Sequence, residues 1–167
     1  IKNKKDSRYE KLVEKKPLLL TLRQYLIQAF LQTLLVLGVF PLLNTNLAIN
    51  WIFFIAIGMC SIGIIFETMA DFQLLRFKQT SSGICDVGLW QLSRHPNYFF
   101  DFIFWVGIAL FCIHSIYAYI SCIAPLTIFI IFYYITGPYT EKCSIERHKE
   151  RYGAYQKKVN FFFIRLF

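Results

Sequence analysis

Residues 99–135, FFDFIFWVGIALFCIHSIYAYISCIAPLTIFIIFYYI, run for 37 positions with one acid, Asp101, and neither Lys nor Arg. A helix needs about 20 apolar residues to cross roughly 30 Å of hydrocarbon. The run is therefore too long for one crossing and suits two. His114-Ser115 is the polar break between arms of about 18 residues, just enough for a span each. The expected spans are 99–113 and 118–136. Working outward, residues 51–75 form a block without charge until Glu67 and Asp71. Residues 22–43 form another, with Arg23, Gln24, Gln28 and Gln32 near its start. Exposed backbone polar groups are not tolerated in lipid, and no ten-residue alternation signals a barrel, so the four spans are helices.

Composition agrees. Of 167 residues, 56% are hydrophobic and 19% aromatic, and the mean hydropathy is +0.47. A soluble domain of this size leaves too much surface exposed to hide so many apolar groups. The net charge of +8 is split among short polar segments beside hydrophobic blocks. That placement suits anionic headgroups rather than nucleic acid. Of the 18 basic residues, eight lie in the first 23 positions, three between 72 and 98, and seven after 136. In a four-span arrangement all of them fall on one side, which by the positive-inside rule is the cytoplasm, with both termini there. The organisation expected is a basic cytosolic segment at 1–21, a transmembrane domain at 22–136, and a cytosolic or interfacial tail at 137–167.

Five cysteines are scattered without a C-x-x-C pair, so neither a disulfide framework nor a zinc site is indicated. Gly58 and Gly63 have the small size that helix contacts in membranes use. In the tail, Gly137-Pro138 reads as a helix stop. A charged amphipathic helix then follows, ended by Tyr152-Gly153 and Tyr155, after which Phe161-Phe162-Phe163 returns to the interface. The fold class is an all-α integral membrane bundle with a cytosolic C-terminal amphipathic helix.

Polar chemistry collects at one boundary. Glu67 and Asp71 are four apart and share a helix face. Ionisable groups in a span normally face a protein interior or cavity. In Gly88-Leu89-Trp90-Gln91-Leu92-Ser93-Arg94-His95-Pro96-Asn97-Tyr98, Pro96 keeps His95 out of helix geometry and suits the first turn of the next helix. Such a helix start attracts anions. Asp101 lies one turn after Asn97 and carries the polar stripe into a span.

These motifs, in the order Asp6-Ser7-Arg8-Tyr9, Phe66-Glu67-x-x-Ala70-Asp71-x-Gln73, Gly88-Leu89-Trp90, Ser93-Arg94-His95-Pro96-Asn97-Tyr98, Trp105-x-Gly107 and Gly153-x-Tyr155, resemble a bacterial membrane family related to the C-terminal domain of steroid 5-alpha-reductase. The resemblance implies an inner-membrane, multi-pass reductase that holds NADPH in a cytoplasm-facing cavity. Hydride would pass to a C=C bond conjugated to a carbonyl in a steroid-like or lipid substrate. It implies cofactor-contacting roles for Asp71, Lys78, Arg94, His95, Asn97, Tyr98, Asp101, Glu141 and Arg147. The carbonyl-activating Glu and Tyr of the reductases belong to a preceding half, so the chain reads as a C-terminal portion and no catalytic residue is assigned. The chain departs from the family at Phe100, where a glycine is usual, and at Asp101, where a glutamate is. S-adenosylmethionine-dependent membrane methyltransferases share the Arg-His-Pro-x-Tyr pattern. Methyl transfer, or a non-catalytic membrane remnant, stands as the alternative.

Overall fold

A computed structural model describes residues 18–43 and 49–164. The Asp6-Ser7-Arg8-Tyr9 motif and most of the basic segment at 1–21 lie outside the described residues. The regular elements of the described chain are all helical: α1 (Leu18–Leu43), α2 (Trp51–Thr80), a 3₁₀ turn (Gly88–Gln91), α3 (Pro96–Phe111), α4 (Ala118–His148) and α5 (Glu150–Lys158).

Three of these helices, α1, α2 and α4, are long and apolar enough to cross a membrane. The helix in place of the span expected at 99–113 is shifted toward the N-terminus and too short to join those three. α3 has 16 residues and stops at Phe111, because Cys112 N–H already bonds back to Ala109 O at 3.1 Å and tight turns follow to Tyr117. α2 runs five residues past the expected end at Leu75. Its last turn carries Lys78, a favourable cation near a helix C-terminus, and the Ser81 N–H closes it on Phe77 O.

α2 and α3 form the tightest pair. Ala56, Gly63 and Ala70 are the buried residues of α2 and recur every seven positions, one seam of a helix pair. A Cβ on Gly63 would stand 2.7 Å from Phe104 Cβ and 2.9 Å from Phe100 O. Gly107 answers it from α3, against Ala56 O and Cys60. Gly58, paired with Gly63 in the sequence reading, has open space where a Cβ would go. α4 packs on α1 through a similar closeness of Gly38 to Ala124, and on α3. At the end where α2 begins, Asn50 accepts from Phe53 N–H at 3.1 Å and lies 3.3 Å from His114 Nε2, joining α2 to the α3–α4 turn.

The Gly137-Pro138 stop is not obeyed. Residues Ile131–Thr136 adopt π-helical bonding, and the helix continues beyond them to His148. The change of bonding pattern falls where Pro138 has no N–H to offer, so the ring enters as it would at a first helical turn. Gly137 also has no room for a side chain, since a Cβ would lie 2.5 Å from Phe132 O and 2.6 Å from Phe161 Cζ. The break comes instead at Lys149, with φ +44°. Tyr152, Gly153 and Tyr155 stand inside α5 rather than ending it. Phe162 does not return to the interface. It is 1% exposed, buried among Phe99, Phe102, Phe129 and Tyr133, because the tail folds back across the bundle.

Candidate functional site

The loop before α3 is fixed by bonds from three directions. Gly88 has φ +57°, a conformation that side chains with a Cβ avoid, and Gln73 of α2 lies against it. Gln73 Oε1 accepts from Leu89 N–H at 3.0 Å. Trp90 Nε1 donates to Ala70 O at 2.9 Å, deep in the α2 seam. Tyr155 of α5 donates to Trp90 O at 2.5 Å. Gly88→Ala is expected to cost about 1–2 kcal/mol for the left-handed backbone, plus about 1 kcal/mol if Gln73 is displaced from Leu89. Reversible denaturation in detergent would measure it; an unchanged stability would refute the role of the glycine.

Arg94 is the centre of the next layer. Its Nε donates to Glu141 Oε1 at 2.5 Å and its Nη2 to Oε2 at 3.3 Å. Its Nη1 donates to Gln156 O at 3.0 Å and Val159 O at 2.8 Å. The Phe161 ring lies 5.5 Å from the guanidinium carbon. Glu141, 8% exposed, also accepts from Gln156 Nε2 at 2.8 Å and Tyr152 Oη at 3.3 Å. A planar five-donor cation is suited to such a junction, and a point-charge lysine is not. Ser93 Oγ donates to Phe162 O at 2.8 Å and accepts from His95 N–H at 3.2 Å. Burial pushes the Tyr152 and Tyr155 hydroxyls far above the ordinary tyrosine value, so both remain donors. Burial likewise raises the Cys85 thiol, which leaves it protonated and a poor nucleophile.

Beside this clamp lies a cavity of about 310 Å³. Of the sequence-selected residues, Lys78, Arg94, His95, Asn97, Tyr98 and Arg147 line it, together with Thr140, Ser144 and His148. No carboxylate is among its lining residues. His95 is 6% exposed and stacks on Tyr98 at 5.1 Å and 2°. Tyr98 in turn stacks on Phe132 of the π-helical segment at 4.2 Å. His95 Nε2 stands 3.5 Å from Glu141 Oε1, an electrostatic contact rather than a formed hydrogen bond. Asn97 donates Nδ2 to Asp71 Oδ1 at 2.9 Å, which leaves its buried Oδ1 without a hydrogen-bond partner among the described residues.

The remaining selected residues stand outside the cavity wall. Glu141 is behind Arg94, engaged by the chain's own donors. Asp71 and Asp101 lie on the α2–α3 side, with Asp71 Oδ1 accepting from Asn97. The sequence reading missed His148 and Leu74 as lining residues and Tyr152, Tyr155 and Gln156 as supports. The tyrosines carried a signal in their three-residue spacing, which puts two large amphipathic rings on one face of α5.

No curated protein and no solved structure matches the chain. One family does, over residues 1–159, and its description is "Protein of unknown function (DUF1295)". The match spans nearly the whole sequence, so the chain, an all-helical membrane protein, belongs to that DUF1295 family.

Proposed function

We propose that the chain is the nucleotide-binding part of a membrane reductase, with NADPH held by the cavity beside Arg94 and a C=C bond conjugated to a carbonyl as the group reduced. The observation that carries the reading is the charge of the cavity wall. Lys78 and Arg147 line it, beyond the Arg94 that is paired with Glu141, and no carboxylate does. That wall suits a ligand with several phosphate charges. It does not suit S-adenosylmethionine, whose sulfonium is itself a cation. The resemblance to the steroid 5-alpha-reductase relatives points the same way.

The lining groups fit such a ligand in kind. Arg147 and Lys78 would neutralise phosphate oxygens, Arg147 in two-point fashion. The His95–Tyr98–Phe132 stack offers a flat wall for a planar ring. Asn97 Oδ1 is an acceptor for an amide or hydroxyl donor. At about 310 Å³ the cavity is at the small end for ligand sites, so it takes one end of a dinucleotide and leaves the rest outside. NADPH would supply the hydride. The clamp of Arg94 and Glu141 acts at one remove, by fixing His95 and the start of α3.

In the same reading α3 is a fourth crossing. Its 16 residues rise about 24 Å, less than the hydrocarbon thickness, so the bilayer thins or the turn is drawn inward. The basic segments, the cavity and both termini then share the cytoplasmic face of a bacterial inner membrane. A hydrophobic substrate would approach from the lipid.

Calorimetric titration of the purified protein in detergent is the test. NADPH is expected to bind, with an affinity that falls as salt rises. Arg147→Ala removes charge-assisted hydrogen bonds worth about 1.5–3 kcal/mol, so affinity should drop roughly 10- to 100-fold. Asn97→Ala should weaken it as well. Binding of S-adenosylmethionine alone would favour methyl transfer. Binding of neither would sink both enzymatic readings.

A further inference from the structure

At the other end of α2 from Lys78, one contact ties the helix start to the α3–α4 turn. Asn50 is the N-cap of α2, and its Oδ1 accepts from Phe53 N–H at 3.1 Å. Its Nδ2 lies 3.3 Å from His114 Nε2. The cap fixes the amide, because turning it over would set Nδ2 against the Phe53 N–H, donor to donor, and give up the cap. An amide nitrogen does not accept hydrogen bonds, so His114 Nε2 is the acceptor. The imidazole is therefore neutral in this contact and carries its proton on Nδ1. The turn holds the ring in place. Ser115 N–H donates to Cys112 O at 2.9 Å, Ala118 N–H to Ser115 O at 3.0 Å, and Tyr117 N–H to Ser115 Oγ at 3.1 Å. Nearby, Phe53 packs edge-on against Phe111 at 5.5 Å. Residues 49–66 and 102–140 contain no Asp, Glu, Lys or Arg, and neither does α1 from Gln24 to Leu43. The other titratable side chains near the turn are Cys112, Tyr117, Tyr119 and Cys122.

We infer that the Asn50–His114 contact is an acid-released latch: neutral His114 ties the start of α2 to the α3–α4 turn, and protonation lets go. His114 is exposed, so protons reach it directly from solvent. Once Nε2 carries a proton, two donors face each other across 3.3 Å and no acceptor is left for the amide. No carboxylate on the described elements at this end compensates the imidazolium. Histidine is the side chain whose ordinary range of proton uptake falls between about pH 5 and 8. The fold uses the neutral form, so the latch contributes stability in mild base and loses it as the pH falls. Release is local, because the Phe53–Phe111 contact and the Ala56–Gly63–Ala70 seam contain nothing that titrates. In the orientation proposed above, this end faces away from the cytoplasm and registers the acidity of the medium outside. The latch itself stands independently of the nucleotide reading.

A double-mutant cycle of Asn50→Ala and His114→Ala tests it, with reversible unfolding in detergent measured at about pH 8 and about pH 5. At the higher pH the two side chains should be coupled by about 2- to 10-fold in the unfolding equilibrium constant, the worth of one hydrogen bond. At the lower pH that coupling should vanish. Asn50→Asp keeps a good N-cap and presents an acceptor to the imidazolium, so the sign should invert and the junction should tighten as His114 takes up its proton. In the wild type, nitrogen NMR of labelled histidine should show one ring as the Nδ1-protonated tautomer at the higher pH. That signal should be missing from His114→Gln. The wild-type spectrum is decisive even where an alanine variant fails to fold. Absence of coupling at the higher pH, coupling unchanged at the lower, or an Nε2-protonated ring at His114 would each overturn the latch.

Discussion

Arg94→Met is expected to destabilise the fold by about 3–5 kcal/mol, the usual consequence of leaving one member of a buried ion pair without the other. Methionine keeps most of the length and loses the bonds to Glu141, Gln156 O and Val159 O. Glu141 would remain buried with only Tyr152 and Gln156 to solvate it. Arg94→Lys should fall nearly as far, because an ammonium cannot reach a carboxylate edge and two carbonyls together. Arg94→Met/Glu141→Leu should recover a good part of the loss, since burying neither charge is far cheaper than burying one. Reversible unfolding in detergent gives the energies, and proteolysis of α5 reports whether the tail has come away. A loss under about 1 kcal/mol in Arg94→Met would mean that the pair is dispensable. For the proposed nucleotide site, weaker NADPH binding by an Arg94 variant would therefore say little about direct contact. Arg147 and Asn97 are the informative positions.

Gly63→Val is the second large effect. The added Cβ alone meets the Phe104 backbone nitrogen at 2.8 Å and Phe100 O at 2.9 Å, and neither can swing aside. Overpacking of this kind costs about 1–3 kcal/mol when flexible side chains absorb it. Here two helix backbones must separate, so the loss should reach or pass the upper figure. Gly63→Ala should fall within the range. Gly58→Ala is the control: nothing stands within 4 Å of its Cβ, and the helix gains a better former, so stability should hold or rise slightly. Thermal unfolding of the three variants in one detergent would rank them. Equal behaviour of Gly63→Val and Gly58→Ala would refute the seam.

The contrast between those glycines shows what the sequence could and could not tell. Hydrophobic block lengths located α1, α2 and the α3–α4 hairpin, because the bilayer imposes a length that single sequences display. They carried α3 two residues past its end at Phe111, because apolar residues continue through a turn that hydrogen bonding, not hydropathy, decides. The seven-residue recurrence of Ala56, Gly63 and Ala70 was present in the letters, yet Gly58 drew attention away from it. Pro138 was read by its ordinary effect, which a π-helical segment cancels, and no composition signal marks such a segment. At the site, His95, Asn97 and Tyr98 were legible as polar groups at one membrane boundary, while Lys78 and Arg147 were singled out through the family resemblance. Their separation from Glu141 into wall and support was not. That division depends on Arg94 meeting a residue 47 positions away, a distance no local pattern encodes.

The long course of α4 joins two ends of the bundle. From Ala118 to His148 the helix has 31 residues and an estimated length of about 46 Å. One end follows the α3–α4 turn and the other carries Thr140, Ser144 and Arg147 along the charged cavity. Were it to rock as a rod by about 5° at the turn, the far end would swing about 4 Å over that length. A small tilt at one end of the bundle is thereby enlarged at the wall of the charged cavity.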